Sequence, residues 1–328
     1  YKQWNVASFH PEHRAALEDA GLSGVLASVL AARGVATPEQ ARAVLDGSGQ
    51  ELCPPLQMKD MDRAAARLRQ ALVGGETIAV YGDYDVDGIT STCLLTDFLT
   101  RRGGHVIPYI PDRMEEGYGL NREAVAALKE QGVTLIVTVD CGITAVDEVD
   151  WANQLGVDVI ITDHHECKER LPAAVAVVDP HRPDCPYPFK GLAGVGVALK
   201  LAMAVSSAPQ AVLDEYADLA AVGTVADVMP MTGENRLIVR LGLKELSHPH
   251  RLGLALLIRE AGLADKPITS VSIGYTLAPR INAAGRMGCA GLAVELLLTQ
   301  DSVRGAQLAQ QLCELNRERQ SIEGDIFQ

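Results

Sequence analysis

Aromatic side chains are scarce in this chain of 328 residues, at 4%, so the 48% hydrophobic content that supplies an ample core is largely aliphatic. Paired cysteines are lacking as well: the seven, at positions 53, 93, 141, 167, 185, 289 and 313, are odd in number and include no CxxC spacing. That excludes a thiolate zinc ribbon, speaks against a disulfide framework and fits a reducing compartment, the cytoplasm. No segment approaches the roughly 20 apolar residues of a membrane span. The opening YKQWNVASFHPEHR has none of the features of a signal peptide, so no membrane association is expected. An excess of basic residues is missing too. Lysine and arginine number 29 against 42 acids, a formal net charge of -13, which argues against binding nucleic acid through bulk electrostatics alone. A local basic groove stays open, because a carboxylate-lined metal site would itself add to the negative count. The chain lacks an initiator methionine and stops inside a helical pattern, from which we expect a piece of a longer product.

What is present is a change of pattern along a chain longer than one typical domain. Residues 1–72 read as a helical N-terminal region without strands. Within it TPEQARAVLDG opens with Thr37 as N-cap and Pro38 in the first turn, and residues 58–72 form a longer helix. From residue 73 strands and helices alternate. Strands are expected at 77–82, 105–110, 133–140, 157–163 and 173–180, with helices at 88–103, 121–132 and 143–156. This is the βαβ pattern of an α/β fold with a mostly parallel sheet flanked by helices, in which ligands gather at the carboxyl ends of the strands. After residue 190 the chain turns helical, passes through the Gly/Pro-punctuated SIGYTLAPRINAAGRMG (272–288) and closes on a long polar-rich helix.

The alternation locates the unusual polar residues. VYGDYDVDG places Asp83, Asp85 and Asp87 just past the first strand, VTVDCG places Asp140 at the end of the third, and IITDHH places Asp163, His164 and His165 at the end of the fourth. Carboxylates crowded on one rim repel one another and raise their own pKa values, and a divalent cation gives them a common partner. Any one of these clusters alone could be a solvated acidic turn or a pair of structural histidines. Their coincidence at three strand ends is what calls for a metal. Carboxylates with imidazoles, and no thiolate pair, suit Mn²⁺ or Mg²⁺. The ligands are too many for one ion, and two ions are the arrangement used for displacement at phosphorus.

The set GDYDVDG, VTVDCG, TDHH and GTVADVMP resembles the DHH phosphoesterase superfamily, named after its Asp-His-His motif. DYDVDGITST, DPHRPDCPYPFKGLAGVGVALKLA and APRINAAGRM are similar to its RecJ-like branch, bacterial exonucleases specific for single strands, and the likeness covers residues 35–328. The resemblance implies one metal on Asp83, Asp85 and Asp140 and a second on Asp87, Asp140, His164 and Asp227, with Asp140 bridging. Asp227, in a helical stretch, is singled out by the resemblance alone. It also implies a catalytic group of Asp85, Asp87, Asp140, His164 and His165. His165 would stand beside the scissile phosphate, while Asp163 would orient a histidine or bond the backbone. Tyr81 stands where many relatives carry a histidine. The implied division is a helical region over 1–72, a DHH domain over 73–285 and a connector helix over 286–328. The connector would lead to a second, DHH-associated domain, whose Gly-Gly-His motif this chain lacks.

For substrate, Arg280, Asn282 and Arg286 in APRINAAGRM offer a phosphate pocket, unless the arginines act as struts on carboxylates. Arg113 and Tyr118 lie on a loop after the second strand, where Tyr118 either stacks a base or packs in the loop. His181 supports the metal site or caps its loop, and GLAGVGVALK lacks the spacing of a phosphate loop and reads as close helix packing. The expected activity is a two-metal phosphodiesterase degrading single-stranded DNA from the 5′ end to mononucleotides in repair and recombination. Its partners would be single-stranded DNA and a helicase or single-strand-binding protein. Two alternatives stand beside it: a DHH hydrolase of oligoribonucleotides, cyclic dinucleotides or pyrophosphate, and a non-catalytic binding module of a replication complex.

Overall fold

The structure is a computed structural model describing residues 5–47, 51–113, 116–117 and 119–326. The chain forms two compact units, Tyr1–Leu52 and Cys53–Gln328. In the first, α1 (Pro11–Asp19), α2 (Gly24–Ala32) and α3 (Pro38–Leu45) close around Leu17, Ala27, Leu30, Val35 and Ala41. The start of α3 follows its sequence: Thr37 Oγ1 accepts from the Gln40 N–H at 3.3 Å while the Gln40 side chain accepts from the Thr37 N–H, a reciprocal cap.

The second unit opens with α4 (Met61–Gly74), whose buried face of Met61, Ala64, Ala65, Leu68 and Ala71 belongs to this unit's core. Arg67 of α4 also donates to Asp158 at 2.7 Å. Then come β1 (Thr77–Tyr81), α5 (Val86–Thr100), β2 (His105–Tyr109), α6 (Arg122–Glu130), β3 (Val133–Val139), α7 (Val146–Gln154), β4 (Asp158–Thr162) and β5 (Ala176–Val178). All five strands pair in parallel, in the order β2-β1-β3-β4-β5. The expected α/β fold with a mostly parallel, helix-flanked sheet is therefore the one observed. The runs TIAVY, VTLIVTV and DVIIT are nearly continuous in apolar residues because a parallel sheet is covered on both faces. Ala79, Tyr81, Ile136, Val159 and Ile161 pack with Leu128 of α6 and Val149 of α7 on one side. On the other side lie α5 and α8 (Gly194–Val205). β5 is shorter than the eight residues read from sequence, since it is an edge strand that pairs with β4 over three positions.

The helical remainder comprises α9 (Pro209–Ala226), α10 (Gly233–Leu246), α11 (Leu252–Glu260), the single turn α12 (Ser270–Ser272), a π-helical turn (Ile273–Leu277), α13 (Ala278–Arg286), α14 (Ala290–Leu298) and α15 (Ser302–Ile326). Residues 272–286 are helical despite their glycines and proline: Pro279 sits where the π-helical turn Ile273–Leu277 passes into α13, so the bond its missing N–H cannot make falls at a change of helical pitch. Among the described residues no helix is long and apolar enough to cross a membrane.

Candidate metal centre

The sheet reverses its winding between β1 and β3, and a crevice at the carboxyl ends of those two strands is where this topology holds ligands. Past β1, Asp85 is the N-cap of α5, its Oδ1 accepting from the Gly88 N–H at 3.0 Å. That cap puts Asp87 inside the first turn of α5, where it is buried. Past β3, Asp140 takes a left-handed backbone, φ 60°, which no β-branched residue would hold cheaply. Past β4 come Asp163, His164 and His165, and Asp227 arrives from elsewhere, as the C-cap of α9.

These side chains converge. Ligand atoms of Asp83, Asp85 and Asp140 lie within 4.8 Å of one another, as do those of Asp87, His164 and Asp227, and those of Asp140, His164 and His165. His164 Nε2 stands 3.0 Å from Asp140 Oδ1, 3.7 Å from Asp227 Oδ2 and 3.9 Å from Asp87 Oδ2. The seven residues proposed from sequence for metal and chemistry at the rim thus share one site.

Asp163 holds the histidines in place without turning toward the centre. Its Oδ1 accepts from the His164 N–H at 2.7 Å and lies 2.7 Å from His165 Nδ1, while Oδ2 accepts from the Ile143 N–H at 2.9 Å. A second support escaped the sequence reading. The N-terminus of α8 donates the Gly194 N–H to Asp87 Oδ2 at 2.6 Å and the Val195 N–H to Oδ1 at 2.9 Å, so an internal carboxylate occupies this helix end. Gly194 is required there. A Cβ on it would lie 2.5 Å from Asp140 Oδ1 and 2.6 Å from Asp140 Cβ. We expect Gly194→Ala to cost about 1–3 kcal/mol by overpacking and to weaken Mn²⁺ binding, read by thermal melts and by calorimetric titration. Unchanged Mn²⁺ affinity would show that α8 and Asp140 do not constrain each other.

Burial dominates the electrostatics. It pushes Asp83 up to about 7, with Asp85 adding to the effect, and Asp227 up to about 6. Asp87 and Asp140 are driven well above the carboxylate range by burial first and neighbouring carboxylates second. His164 falls to about 4, again through burial. His165 rises to about 9, above all because the Asp163 carboxylate accepts a hydrogen bond from its ring N–H. Without ions the folded acids keep protons that the unfolded chain has already released. Their contribution is full below the unfolded value near 4 and is lost as pH rises through the folded values near 6 and 7, while His164 opposes them only between about 4 and 6.5. The Tm in EDTA is therefore expected to fall from pH 5 to pH 8. Mn²⁺ should restore most of the loss, with protons released on binding. A flat profile in EDTA would contradict this charge arrangement.

The residues read as substrate contacts are less uniformly placed. Arg280 uses Nη1 on the Thr276 carbonyl at 2.6 Å and Nε on Cys313 Sγ at 3.3 Å. Asn282 is half-buried and Arg286 is exposed at the end of α13. Gly285, beside Arg286, is pressed against the Tyr84 carbonyl, so this end of α13 abuts the first acidic loop. Arg113 is exposed with its guanidinium 5.0 Å from the centre of the Tyr84 ring. Tyr118 lies outside the described residues. The His181 N–H donates to Asp179 Oδ1 at 2.7 Å, and Arg182 is a strut, donating to Asp60 at 2.7 Å and to Asp184 at 2.8 and 2.9 Å.

The donor set fits divalent cations. Asp83 Oδ1 and Asp140 Oδ1 are buried without a hydrogen-bond partner, His164 approaching the latter closely but out of alignment. Such orphaned oxygens are rare in a folded protein unless an ion or water meets them. Carboxylates with an imidazole suit Mn²⁺ or Mg²⁺, and the nearby Cys141 Sγ is directed to the Tyr81 carbonyl instead.

Comparison with known proteins agrees with this geometry. Residues 77–224 match the DHH family, N-terminal domain. Over 305 residues the chain is 47% identical to the single-stranded-DNA-specific exonuclease RecJ of Bacillus subtilis, covering 93% of this chain and 38% of that relative. A crystal structure of exonuclease RecJ bound to manganese superposes with a TM-score of 0.77 at 40% identity, over 84% of this chain and 70% of the other. RecJ of Thermus thermophilus in complex with Mn²⁺ gives a TM-score of 0.81 at 37% identity, over 96% and 44%. The chain thus spans about half or less of the length of several full relatives. With this fold and this degree of identity over most of its length, it belongs to the DHH family, in its RecJ branch.

Proposed function

We propose that this chain is the catalytic core of a two-metal phosphodiesterase that degrades single-stranded DNA from the 5′ end to mononucleotides, in repair and recombination. The observation that carries the reading is the convergence of Asp83, Asp85, Asp87, Asp140, His164 and Asp227 around two neighbouring sets of ligand atoms. Asp83, Asp85 and Asp140 would hold one Mn²⁺ or Mg²⁺, and Asp87, Asp140, His164 and Asp227 the other. Manganese in the RecJ relatives supports the choice of metal. When bound, such a pair lowers the pKa of water and neutralises charge that develops on phosphoryl oxygens.

The chain's own residues divide the remaining work. Asp140, locked between β3 and α8, fixes the spacing of the two halves. The α8 N-terminus aims Asp87. Asp163 keeps His165 protonated at neutral pH, ready to stabilise charge at the scissile phosphate or to protonate the leaving oxygen. Arg286, Asn282 and Arg113 at the rim would hold substrate phosphates. Arg280 has two of its nitrogens committed internally and contributes less. We expect Arg280→Ala to lower stability more than strand affinity. A tenfold affinity loss at unchanged Tm would return it to the phosphate pocket. Within 286–328 the described residues form two helices, α14 and α15, and not one; α15 would serve as the connector into a DHH-associated domain, and helicases or single-strand-binding proteins in the cytoplasm would deliver the strand.

The test is incubation with Mn²⁺ and a 3′-labelled single strand, with and without a 5′ phosphate. Loss of nucleotides from the 5′ end supports the reading. Cleavage confined to dinucleotides would favour the small-substrate hydrolase, and retention without cleavage the binding module.

A further inference from the structure

We propose that a groove beside Asp227 receives nucleobases of the single strand as it approaches the metal centre, with Tyr275 as the stacking platform. The inference takes its ligand from the reading above. The groove encloses about 410 Å³ and is lined by Val228, Met229, Met231, Val271 and Tyr275, among others. Two of these are large apolar side chains left almost wholly in solvent, Val228 at 86% and Tyr275 at 83% exposure. One wall is built from residues that flank Asp227 in the chain, Val225 and Ala226 before it and Val228 after it, so the groove lies next to a candidate metal ligand.

The backbone around the groove is held in uncommon conformations. Val228 ends α9 with φ 57°, while the Met229 N–H donates to the Thr224 carbonyl at 3.3 Å. This is the position where a helix terminus takes glycine at least cost, and a β-branched residue there is strained. Strain that delivers an exposed isopropyl group next to a ligand carboxylate points to function and not to folding. Opposite, Tyr275 is presented by the π-helical turn Ile273–Leu277, a feature often found at functional sites.

Charge selects the occupant. The groove runs on into a second cavity of about 230 Å³ that shares Met231 and Ser270 and is lined by Arg236 and Arg240. Among the described lining residues of both there is no aspartate or glutamate, although acids outnumber bases 42 to 29 in the chain. An apolar floor with an aromatic face, two arginines and no acid fits a polyanion whose bases turn inward. Such binding also reconciles a net charge of -13 with a nucleic-acid substrate, because stacking does not need bulk electrostatics.

The experiment uses the chain with Mn²⁺ and a phosphorothioate strand of about twelve nucleotides, followed by fluorescence anisotropy, beside the hydrolysable strand and bis(p-nitrophenyl) phosphate. Tyr275→Ala is expected to weaken binding and raise KM for the strand by about tenfold, more than it alters hydrolysis of the small diester. Tyr275→Phe should recover the affinity. Val228→Gly should raise the Tm and yet weaken the strand, a combination that a purely structural residue would not give. Strand binding that depends on Tyr275 without any hydrolysis upholds the groove and defeats the nuclease reading. Hydrolysis with Kd and KM unchanged in Tyr275→Ala defeats the groove alone. A Tyr275-dependent self-association in sedimentation, with strand affinity unaltered, would make the surface a protein contact and overturn the proposal.

Discussion

Asp140→Asn is expected to reduce Mn²⁺-dependent hydrolysis of a single strand by on the order of 10³-fold or more, the largest effect of any single substitution in this chain. Asp140 has ligand atoms in two of the three groups at the centre, with Asp83 and Asp85 on one side and His164 and His165 on the other. The amide keeps the shape that packs against Gly194, where a Cβ would come within 2.5 Å of Oδ1. It removes the charge that burial and the Asp87 and Asp85 carboxylates disfavour. The same change should leave the Tm in EDTA at pH 8 equal to or above that of the native chain, since a buried repulsive charge is gone. Loss of activity together with gain of ion-free stability would be the signature of a residue kept for its metals. Retention of more than a tenth of the activity would remove Asp140 from the bridging position.

The second large effect is expected at His165. Replacing it by alanine should slow turnover by about 10²- to 10³-fold, the usual span for loss of a positioned proton donor, while Mn²⁺ affinity changes less than in Asp140→Asn. The reason lies in Asp163, which is 1% exposed, accepts from three backbone N–H groups at 2.7, 2.9 and 3.2 Å, and lies 2.7 Å from His165 Nδ1. That contact raises His165 to about 9, so the group is charged through neutral pH. Asp163→Asn withdraws the support. Its alkaline limb in the pH–rate profile should move to lower pH, a displacement that loss of packing alone would not cause. If Mn²⁺ affinity instead collapses in His165→Ala, the residue is a ligand alongside Asp140 and His164, and its assignment to the phosphate fails.

Much of the centre was legible in the residues because strand ends in a parallel sheet are set by local pattern. Apolar runs of five to seven residues separated by helices announce where the chain emerges, and Asp83, Asp140 and His164 follow those runs closely. Asp163 was also read correctly as an orienting group, since its partners are its immediate neighbours. Asp227 carried no such mark. It caps α9, and a helix-end aspartate looks the same in sequence whether it faces water or an ion. The grouping of α4 with the sheet, through the bond from Arg67 to Asp158, joins residues 91 apart and was equally hidden.

Sequence alone therefore determined the layered parallel fold, the rim on which acids and imidazoles collect and the kind of cation they suit, because these depend on the alternation of elements and on donor chemistry. Only the tertiary structure decided how the acids are aimed. The α8 N-terminus reaches Asp87 across 107 positions of chain, Gly194 leaves room for Asp140, and Arg280 is committed to the π-helical turn before its own helix and to α15. Those choices rest on contacts between distant segments, set by close packing and by the need to pair every buried polar group, and no local pattern encodes them.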